Sequence, residues 1–376
     1  MKVLLVIHVP KQPQLSVYQG YQQLAKFLVQ EGHQALILAP EDFAALRRLH
    51  ARWFPLLYPF YVARWLLSHS REYDLAVFHS YAGWVVNILR RWLRGYNGLR
   101  TVTSFHGLEP LYYREHKEEM KKAGTPLRLR FRLVHGVLMP FLIALSCRRS
   151  DRIRCLNKKE SDYIECNRWG RASKVIVTPR GVPAMFLIER SFRATARRLI
   201  FVGQWREMKG TKYLVEAFID LAKSIPDLEL WCAGTLVGAD EVLACFPEGL
   251  RERVTVRPRL DQSQLLAAYR DADIFVFPTL SEGFSMALLE AMATALPVVA
   301  TPVGAAPEIL NSDINGMLVP VRDAEALSES IKRLVDDKNL RERLGREAQA
   351  KAAEYETANV NNRLLSILRE VAFSRP

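Results

Sequence analysis

Residues 281–308 have the sequence SEGFSMALLEAMATALPVVATPVGAAPE. They follow a short apolar run, residues 274–277, whose composition predicts a buried strand. Ser285 is a suitable N-cap for the almost wholly apolar helix that the pattern predicts over residues 286–294. A second apolar run, residues 298–300, predicts the next buried strand. The whole stretch therefore predicts a strand–loop–helix–strand unit of a parallel sheet.

Two acids in this unit carry chemical information. Glu282 lies in the loop, and Glu290 lies inside the apolar helix. A lone carboxylate in apolar surroundings costs several kcal/mol unless a side chain or a ligand pairs with it. A carboxylate can accept both O–H donors of a sugar or ribose diol, and a helix N-terminus favours a phosphate. The unit predicts a site for a nucleotide diphosphate sugar; the alternative is a structural helix in which Glu290 is salt-bridged.

The spacing of Glu282 and Glu290 is the E-x7-E pattern of retaining glycosyltransferases with the GT-B fold. The flanking EGFSMALLEAMA, PVVA and VGAAPE segments, and NGMLV at residues 315–319, also resemble glycosyltransferase family 4. The resemblance implies an α/β protein of GT-B architecture, with two Rossmann-like domains facing an interdomain cleft and a C-terminal helix that crosses back to the first domain.

The resemblance also implies a division of labour along the chain. Residues 1–183 would form an N-terminal, acceptor-binding Rossmann-like domain. Residues 184–358 would form a C-terminal domain that binds the nucleotide sugar, and residues 359–376 would form the helix that packs on the first domain. Two domains agree with a length of 376 residues.

The resemblance assigns roles to residues of the second domain. Glu290 would bind the ribose diol, and Glu282 would bind hydroxyls of the sugar. Backbone N–H groups of the loop and helix start would bind the diphosphate; these residues are Gly283, Phe284, Ser285 and Met286. Together these residues form the expected donor site.

A second segment, residues 203–210, has the sequence GQWREMKG. Lys209 matches the lysine of the family's Lys-Gly pair, and its ammonium would neutralise the leaving diphosphate. The family's arginine is replaced by Gln204, and the sequence offers Arg206 as the second cation. The resemblance therefore names Lys209 as catalytic, and the sequence itself adds Arg206 as a donor-binding residue.

The first domain contributes a histidine and a helix start. His106 follows a predicted strand, residues 101–105, and resembles the family histidine that contacts the transferred sugar. Family members often have Gly-Gly in the first loop, where Leu15 and Ser16 stand here. We expect Gly20, predicted to open the first helix, to replace those glycines beside the donor phosphates, with Ser16 as a neighbour.

The formal net charge of +13 is unevenly distributed. Residues 1–183 contain 29 Lys+Arg and 13 Asp+Glu, a net charge of +16, which leaves −3 for the remainder. Residues 49–67 are rich in aromatics and arginine, and residues 127–150 alternate arginine with apolar stretches. Both segments predict docking on an anionic membrane surface; the alternative for each is an ordinary helix packed on the protein. No nucleic-acid-binding motif accompanies the charge, so nucleic acid is not an expected partner.

The five cysteines are odd in number and show no C-x-x-C spacing, which predicts reduced thiols and no zinc site. Residues 1–7 are too short for a signal peptide. We therefore expect a protein of the cytoplasm, or one peripheral to the inner face of the cell membrane. No metal and no cofactor are expected beyond the nucleotide diphosphate sugar as co-substrate.

The functional prediction is a retaining, metal-independent glycosyltransferase that moves a hexose from a UDP- or GDP-linked donor to an acceptor hydroxyl. The expected acceptor is a lipid-linked glycan, lipopolysaccharide or another cell-envelope glycan. Two alternatives stay open: a catalytically inactive module that binds a nucleotide sugar, and a nucleotide-sugar epimerase or phosphorylase with the same fold.

Overall fold

The computed structural model describes residues 1–12, 15–48, 54–90, 92–96, 98–122, 124–125 and 127–374. The chain divides into two compact units. Unit 1 comprises Met1–Pro179 and Val360–Pro376, and unit 2 comprises Arg180–Asn359. The first division, after Pro179, lies four residues before the boundary that the sequence predicted at residue 183. The second, after Asn359, lies one residue after the boundary predicted at residue 358.

Unit 1 contains one six-stranded parallel sheet. Its strands are β1 (Lys2–Val6), β2 (Gln34–Leu38), β3 (Leu75–His79), β4 (Arg100–Ser104), β5 (Arg152–Cys155) and β6 (Val175–Val177). The strand order is β2-β1-β3-β4-β5-β6, with every pairing parallel. The chain reverses its direction of travel across the sheet between β1 and β3. That switch point is where parallel sheets open a crevice for ligands at the carboxyl ends of their strands.

Unit 2 also contains a six-stranded parallel sheet. Its strands are β7 (Arg198–Val202), β8 (Glu229–Ala233), β9 (Val254–Arg257), β10 (Ile274–Phe277), β11 (Val298–Ala300) and β12 (Met317–Leu318). The order β12-β11-β10-β7-β8-β9 places the switch point between β7 and β10. The strands predicted over residues 274–277 and 298–300 are confirmed. All four residues of β10 are buried, as its unbroken apolar sequence requires.

Helices cover the sheets of both units. In unit 1 they are α1 (Ser16–Gln30), α2 (Phe54–His69), α3 (Trp84–Leu89), α4 (Glu109–Lys122), α5 (Leu129–Leu133), α6 (Met139–Arg149) and α7 (Lys158–Cys166). In unit 2 they are α8 (Thr211–Ser224), α9 (Ala239–Leu243), α10 (Gln262–Asp271), α11 (Met286–Ala293), α12 (Ala306–Ile309), α13 (Ala324–Asp336) and α14 (Lys338–Ala353). The predicted α/β class with parallel sheets is confirmed.

The last helix, α15 (Thr357–Phe373), packs against unit 1. Leu364, Leu365 and Leu368 are buried in one apolar cluster with Val3 and Leu5 of β1. The first helix, α1, packs into the same cluster. An apolar layer therefore covers much of the unit 1 sheet face that carries α1 and α15.

The helix α1 begins at Ser16, four residues before the predicted start at Gly20. Leu15 is its N-cap and makes no side-chain capping bond, so a local capping signal is missing from the sequence. Gly20 consequently lies one turn inside the helix and not in a loop. Its predicted place at the head of the helix is wrong.

The two segments rich in arginine and apolar residues differ in the structure. Residues 49–53 lie outside the described part of the chain, and α2 buries Tyr58, Val62 and Leu66 in the core of unit 1. Helices α5 and α6 are joined by a π-helical turn at Val134–Leu138, so that Leu129–Arg149 forms one helix. Among the described residues it is the one helix that is long and apolar enough to cross a membrane, by length and composition only, and most of its apolar part is not buried.

Candidate functional site

The switch point of unit 2 brings together the two catalytic candidates of that unit. Lys209 lies in the loop after β7, and Glu282 lies in the loop after β10. Because β7 and β10 are neighbouring parallel strands, both loops emerge at the same edge of the sheet. The Lys209 ammonium forms an ion pair with Glu282 Oε2. Both side chains keep partial exposure, 25% and 20%, so a ligand can reach the pair.

Two hydrogen bonds hold these two loops against each other, and a third joins the loop after β10 to the loop after β11. Thr279 Oγ1 donates to the carbonyl of Met208 at 3.1 Å, and the amide of Leu280 donates to the same carbonyl at 2.9 Å. On the other side, the amide of Ala305 donates to the carbonyl of Gly283 at 3.0 Å. The loop after β10 is therefore positioned by its two neighbouring loops, which makes the geometry around Glu282 a property of the whole sheet edge.

Gly304 decides how closely the neighbouring loop approaches Glu282. Its φ of +57° lies in the left-handed region, and a Cβ there would stand 2.5 Å from the carbonyl oxygens of Glu282 and Gly283. A side chain at this position is excluded by both the backbone conformation and the contact. The glycine of the VGAAPE segment therefore has a packing reason in the structure.

The N-terminus of α11 lies directly after this loop. Ser285 is its N-cap, and the Ser285 hydroxyl accepts a hydrogen bond from the Leu288 amide at 3.3 Å, as the sequence predicted. The backbone N–H groups of Phe284, Ser285 and Met286 donate no hydrogen bond to the described part of the chain. Such free amides and the helix dipole form a binding site for an anion.

Glu290 lies on α11, partly buried, and its partner is a tyrosine. The hydroxyl of Tyr269, from α10, lies 3.4 Å from Glu290 Oε2 and 3.1 Å from the carbonyl of Ala287. Burial raises the pKa of Glu290 to about 7, against the opposing effects of the Tyr269 hydroxyl and the charge of Arg180. Within the described residues Glu290 forms no ion pair, so the salt bridge of the structural alternative is not found.

The remaining cation candidate is exposed. Arg206 is the N-cap of a short 3-10 turn, Glu207–Lys209, and its carbonyl accepts the amide of Lys209 at 2.9 Å. This contact places Arg206 beside the Lys209–Glu282 pair, with its side chain in solvent. Across the described ranges there is no group of three or more His, Cys, Asp or Glu side chains arranged to hold a metal ion.

In unit 1 His106 is part of a buried aromatic cluster at the carboxyl edge of the sheet. Its ring lies 4.9 Å from that of Tyr21 and 5.5 Å from that of His79, measured between centroids. His79 in turn stacks on His8 at 4.5 Å, and the two Nδ1 atoms are 3.0 Å apart. These histidines follow or end β1, β3 and β4, so the topology collects them at the switch point of unit 1.

His8 and His79 stay neutral near physiological pH. Burial lowers the pKa of His8 to about 4. Burial, reinforced by the neighbouring His8 and His106, holds the pKa of His79 well below its usual value. Two neutral imidazoles can share one proton between their Nδ1 atoms, one donating and the other accepting. The pair is thus a fixed, uncharged support beside Tyr21 and His106.

Gly20 is the point at which α1 meets His106. A Cβ at Gly20 would lie 2.6 Å from His106 Nε2. Gly20 thus has a packing reason in the structure, because a Cβ at this position would collide with the His106 ring. Its role beside the donor phosphates stays a prediction. Ser16 forms the first turn of the same helix.

We expect Gly20→Ala to leave the fold intact and to lower activity about 10- to 100-fold. Alanine is favoured over glycine inside a helix by about 1 kcal/mol, so stability should hold or rise. The His106 ring, however, must move by several tenths of an ångström, and misplaced catalytic groups are costly. Turnover and melting temperature measured on the same preparation check this. Gln23→Ala, an exposed change on the same helix, is the control; equal activity of both variants would contradict the prediction.

Each unit therefore gathers its own candidate residues. The sequence alone did not single out His8, His79 and Tyr269. A signal exists for two of them, because His8 and His79 lie just after or at the carboxyl end of a strand, where ligands of parallel sheets bind. Tyr269 is the hydroxyl partner of Glu290, and no spacing in the sequence connects the two.

Two family models match the chain. The model described as glycosyl transferases group 1 matches residues 188–351. The model described as Glycosyltransferase Family 4 matches residues 20–185. The two matches together leave out residues 1–19, 186–187 and 352–376.

Individual proteins similar to the chain agree with these models. A D-inositol 3-phosphate glycosyltransferase of Paenarthrobacter aurescens (strain TC1) is 32% identical over 211 residues, which cover 52% of this chain and 52% of the relative. The chain spans about half the length of the curated relatives it matches. Among solved structures, sucrose-phosphate synthase of Thermosynechococcus elongatus has a TM-score of 0.77 at 20% identity, with 99% of each chain covered. Anabaena Alr3699/HepE in complex with UDP and glucose has a TM-score of 0.70 at 16% identity, covering 98% of this chain and 99% of that one.

Proposed function

Because the chain belongs to glycosyltransferase family 4 and has the GT-B fold, we propose that it transfers a hexose from a UDP- or GDP-linked donor to an acceptor hydroxyl, with retention of configuration. The acceptor that we propose is a lipid-linked glycan, lipopolysaccharide or another cell-envelope glycan. The observation that supports the proposal best is the meeting of Lys209, Glu282 and the N-terminus of α11 at the switch point of unit 2.

In this proposal the free amides at residues 284–286 bind the diphosphate, and Lys209 neutralises the charge that develops as the sugar leaves. A preset donor of this kind contributes roughly 3 kcal/mol to transition-state stabilisation. Glu282 exchanges its ion pair with Lys209 for hydroxyls of the sugar, and Glu290 accepts the ribose diol. The acceptor oxygen forms its bond to the anomeric carbon on the face from which the nucleoside diphosphate departs. The acceptor proton leaves with the departing phosphate. Arg206 adds a second cation. Because the proposed reaction does not use a metal ion, catalysis continues in EDTA.

The function is tested by thermal-shift screening with UDP- and GDP-sugars, followed by an assay for release of free nucleoside diphosphate. A transferase releases it only when an acceptor extract is added. Donor binding without release identifies the inactive module, and conversion of the donor without acceptor identifies the epimerase. Failure of every donor to raise the melting temperature contradicts the proposal.

We expect donor affinity to fall roughly tenfold from pH 8 to pH 6, because the Glu290 carboxylate must be ionised to accept two hydroxyls and its pKa is about 7. Glu290→Gln should weaken donor binding and abolish this pH dependence. Because burial raises the pKa of Glu290 in the folded protein, the unaltered protein loses stability as the pH rises to about 7. Glu290→Gln removes this loss, so above that pH the variant should be at least as stable as the unaltered protein. Calorimetric titration with the intact donor checks the affinities. A Glu290→Gln variant that unfolds instead would support the structural alternative.

We also propose that unit 1 docks on an anionic membrane through the helix Leu129–Arg149. One stripe of this helix is apolar and exposed: Leu129 (69%), Leu133 (56%), Val137 (64%) and Phe141 (58%). Residues four apart drift by about 40° per step on an α-helix. The wider π turn at Val134–Leu138 rotates less per residue than an α-helix and therefore offsets part of this drift. Arg128, Arg130 and Arg132 are exposed at the start of the stripe, where they suit acidic lipid headgroups.

We expect replacement of these three arginines by glutamine to weaken binding to anionic vesicles roughly hundredfold, since each contributes about 1 kcal/mol near a charged surface. Vesicle flotation at low and high salt measures the effect. The matched control is the same change at three exposed arginines of unit 2, Arg270, Arg343 and Arg346. Absence of flotation of the unaltered protein at low salt contradicts the docking proposal.

A further inference from the structure

A row of polar side chains crosses the sheet of unit 1 close to His106. In the register of the sheet, His79 of β3 lies beside Ser104 of β4, and Ser104 lies beside Arg154 of β5. Register partners of parallel strands project from the same face of the sheet. The three side chains therefore form a continuous polar row at the carboxyl edge, on the face that carries α1.

Arg154 is the unusual member of this row. It is 8% exposed, and its hydrogen bonds are long: Nη1 donates to Ser104 Oγ at 3.3 Å and Nη2 to the Thr178 carbonyl at 3.5 Å. Within the described residues Nε has no hydrogen-bond partner, and the guanidinium belongs to no ion pair. A buried charge left without a counter-charge costs several kcal/mol, and arginine stays protonated. The sheet thus holds a cation whose charge is not neutralised locally.

The carboxylate that acts on Arg154 electrostatically has other hydrogen-bond partners. Glu160 influences Arg154 electrostatically, but its two oxygens accept the amides of Leu108 at 3.1 Å and Leu156 at 2.9 Å. Burial also raises the pKa of Glu160 to about 7, so it carries only part of a charge at neutral pH. Glu160 therefore does not compensate the guanidinium.

Two further hydroxyl groups belong to residues that contact Arg154 or act on it electrostatically, Thr178 and Tyr21. Thr178 is 3% exposed, and its Oγ1 has no partner among the described residues. The Tyr21 hydroxyl lies near Ser104 and Arg154, and the Tyr21 ring contacts His106. Buried polar atoms are nearly always hydrogen-bonded, and their clustering at one sheet edge indicates a shared partner. A tetrahedral oxyanion supplies several acceptors in different directions and a negative charge, which is what these donors lack.

We propose that Arg154, together with Ser104 and Thr178, binds a phosphate group carried by the acceptor, next to His106. The assignment of the phosphate to the acceptor rests on the proposed transferase function, while the anion site itself does not. The donor binds to unit 2 in that function and has its own phosphate ligands, Lys209 and the start of α11. A second, separate anion site in unit 1 therefore selects for a phosphorylated acceptor.

The test is titration of the full-length protein with inorganic phosphate, followed by calorimetry or by ³¹P line broadening. We expect Arg154→Met to weaken phosphate binding at least tenfold and to leave the affinity for the nucleotide sugar within twofold. Arg154→Lys, which keeps the charge, should retain part of the affinity. The matched control is Arg152→Met on the same strand, where the arginine is partly exposed and lies 3.8 Å from Glu370; it should change phosphate binding less than twofold.

Three outcomes overturn the proposal. Equal phosphate affinity of the unaltered and Arg154→Met proteins would show that Arg154 does not bind phosphate. Displacement of bound phosphate by UDP or GDP would show that the site binds the phosphates of the donor and not a phosphate of the acceptor. If Arg154→Met does not fold, Thr178→Val tests the same site, and an unchanged phosphate affinity there is equally contrary. Failure of the transferase function is separate, because it appears as loss of nucleotide-sugar binding in the unaltered protein.

Discussion

We expect Lys209→Met to lower kcat about a thousandfold, the range found when a preset electrostatic donor is removed from an active site. The methionine side chain keeps much of the length of lysine, so packing changes little. The effect should fall on kcat more than on KM, because the leaving diphosphate gains charge in the transition state. Steady-state assays of nucleoside diphosphate release measure both constants.

The ion pair between Lys209 and Glu282 sharpens this experiment. Loss of a partly exposed pair costs about 1 kcal/mol or less in stability, so the melting temperature should move little. Lys212→Met is the control, since Lys212 is an exposed lysine three residues later on α8 with a weak partner at 3.9 Å. A kcat of Lys209→Met within tenfold of the unaltered enzyme would exclude a catalytic role.

Gly304→Ala should reduce activity about 100-fold or more without any change to a charged or polar group. Its Cβ would stand 2.5 Å from the carbonyl oxygens of Glu282 and Gly283 and would also strain a φ of +57°. The loop after β10 must move away, and Glu282 moves with it. Displacements of this size at a catalytic group cost about two orders of magnitude in rate. The measurement is kcat/KM with the donor identified by screening, together with the melting temperature.

Gly249→Ala provides a matched comparison in the same unit. A Cβ at Gly249 meets nothing within 4 Å, and its φ is not in the left-handed region. We expect activity within twofold of the unaltered protein there. Should Gly304→Ala also retain full activity, the position of Glu282 in the loop after β10 would not matter for activity.

Strands and helices that are marked by neighbouring residues could be predicted well from the sequence. The strand at Ile274–Phe277, the cap at Ser285 and the helix Met286–Ala293 follow from an apolar run, a capping residue and a proline exit within 25 residues. The start of α1 was placed four residues late because Leu15 makes no side-chain capping bond to mark it. Capping signals thus decided which helix boundaries could be predicted.

The contacts that the predicted residues make with other side chains could not be predicted from the sequence. The resemblance named Glu282 and Lys209 separately, and their ion pair depends on β7 and β10 being neighbours. The hydroxyl beside Glu290 comes from Tyr269, 21 positions away on a different helix. The cation Arg154 lies in a strand whose sequence, RIRC, shows no reason for burial of an arginine.

The amino-acid sequence alone determined the α/β class, the strand–loop–helix–strand unit of residues 274–300 and the family. The apolar runs, the capping residue and the family motif that indicate them all lie within short stretches of consecutive residues. Tertiary structure alone decided which side chains meet: the Lys209–Glu282 pair, the neutral histidines around His106, and the row from His79 to Arg154. The physical reason is strand order. In a parallel sheet the carboxyl ends of strands far apart in the chain share one edge, and only pairing and register determine which residues stand side by side.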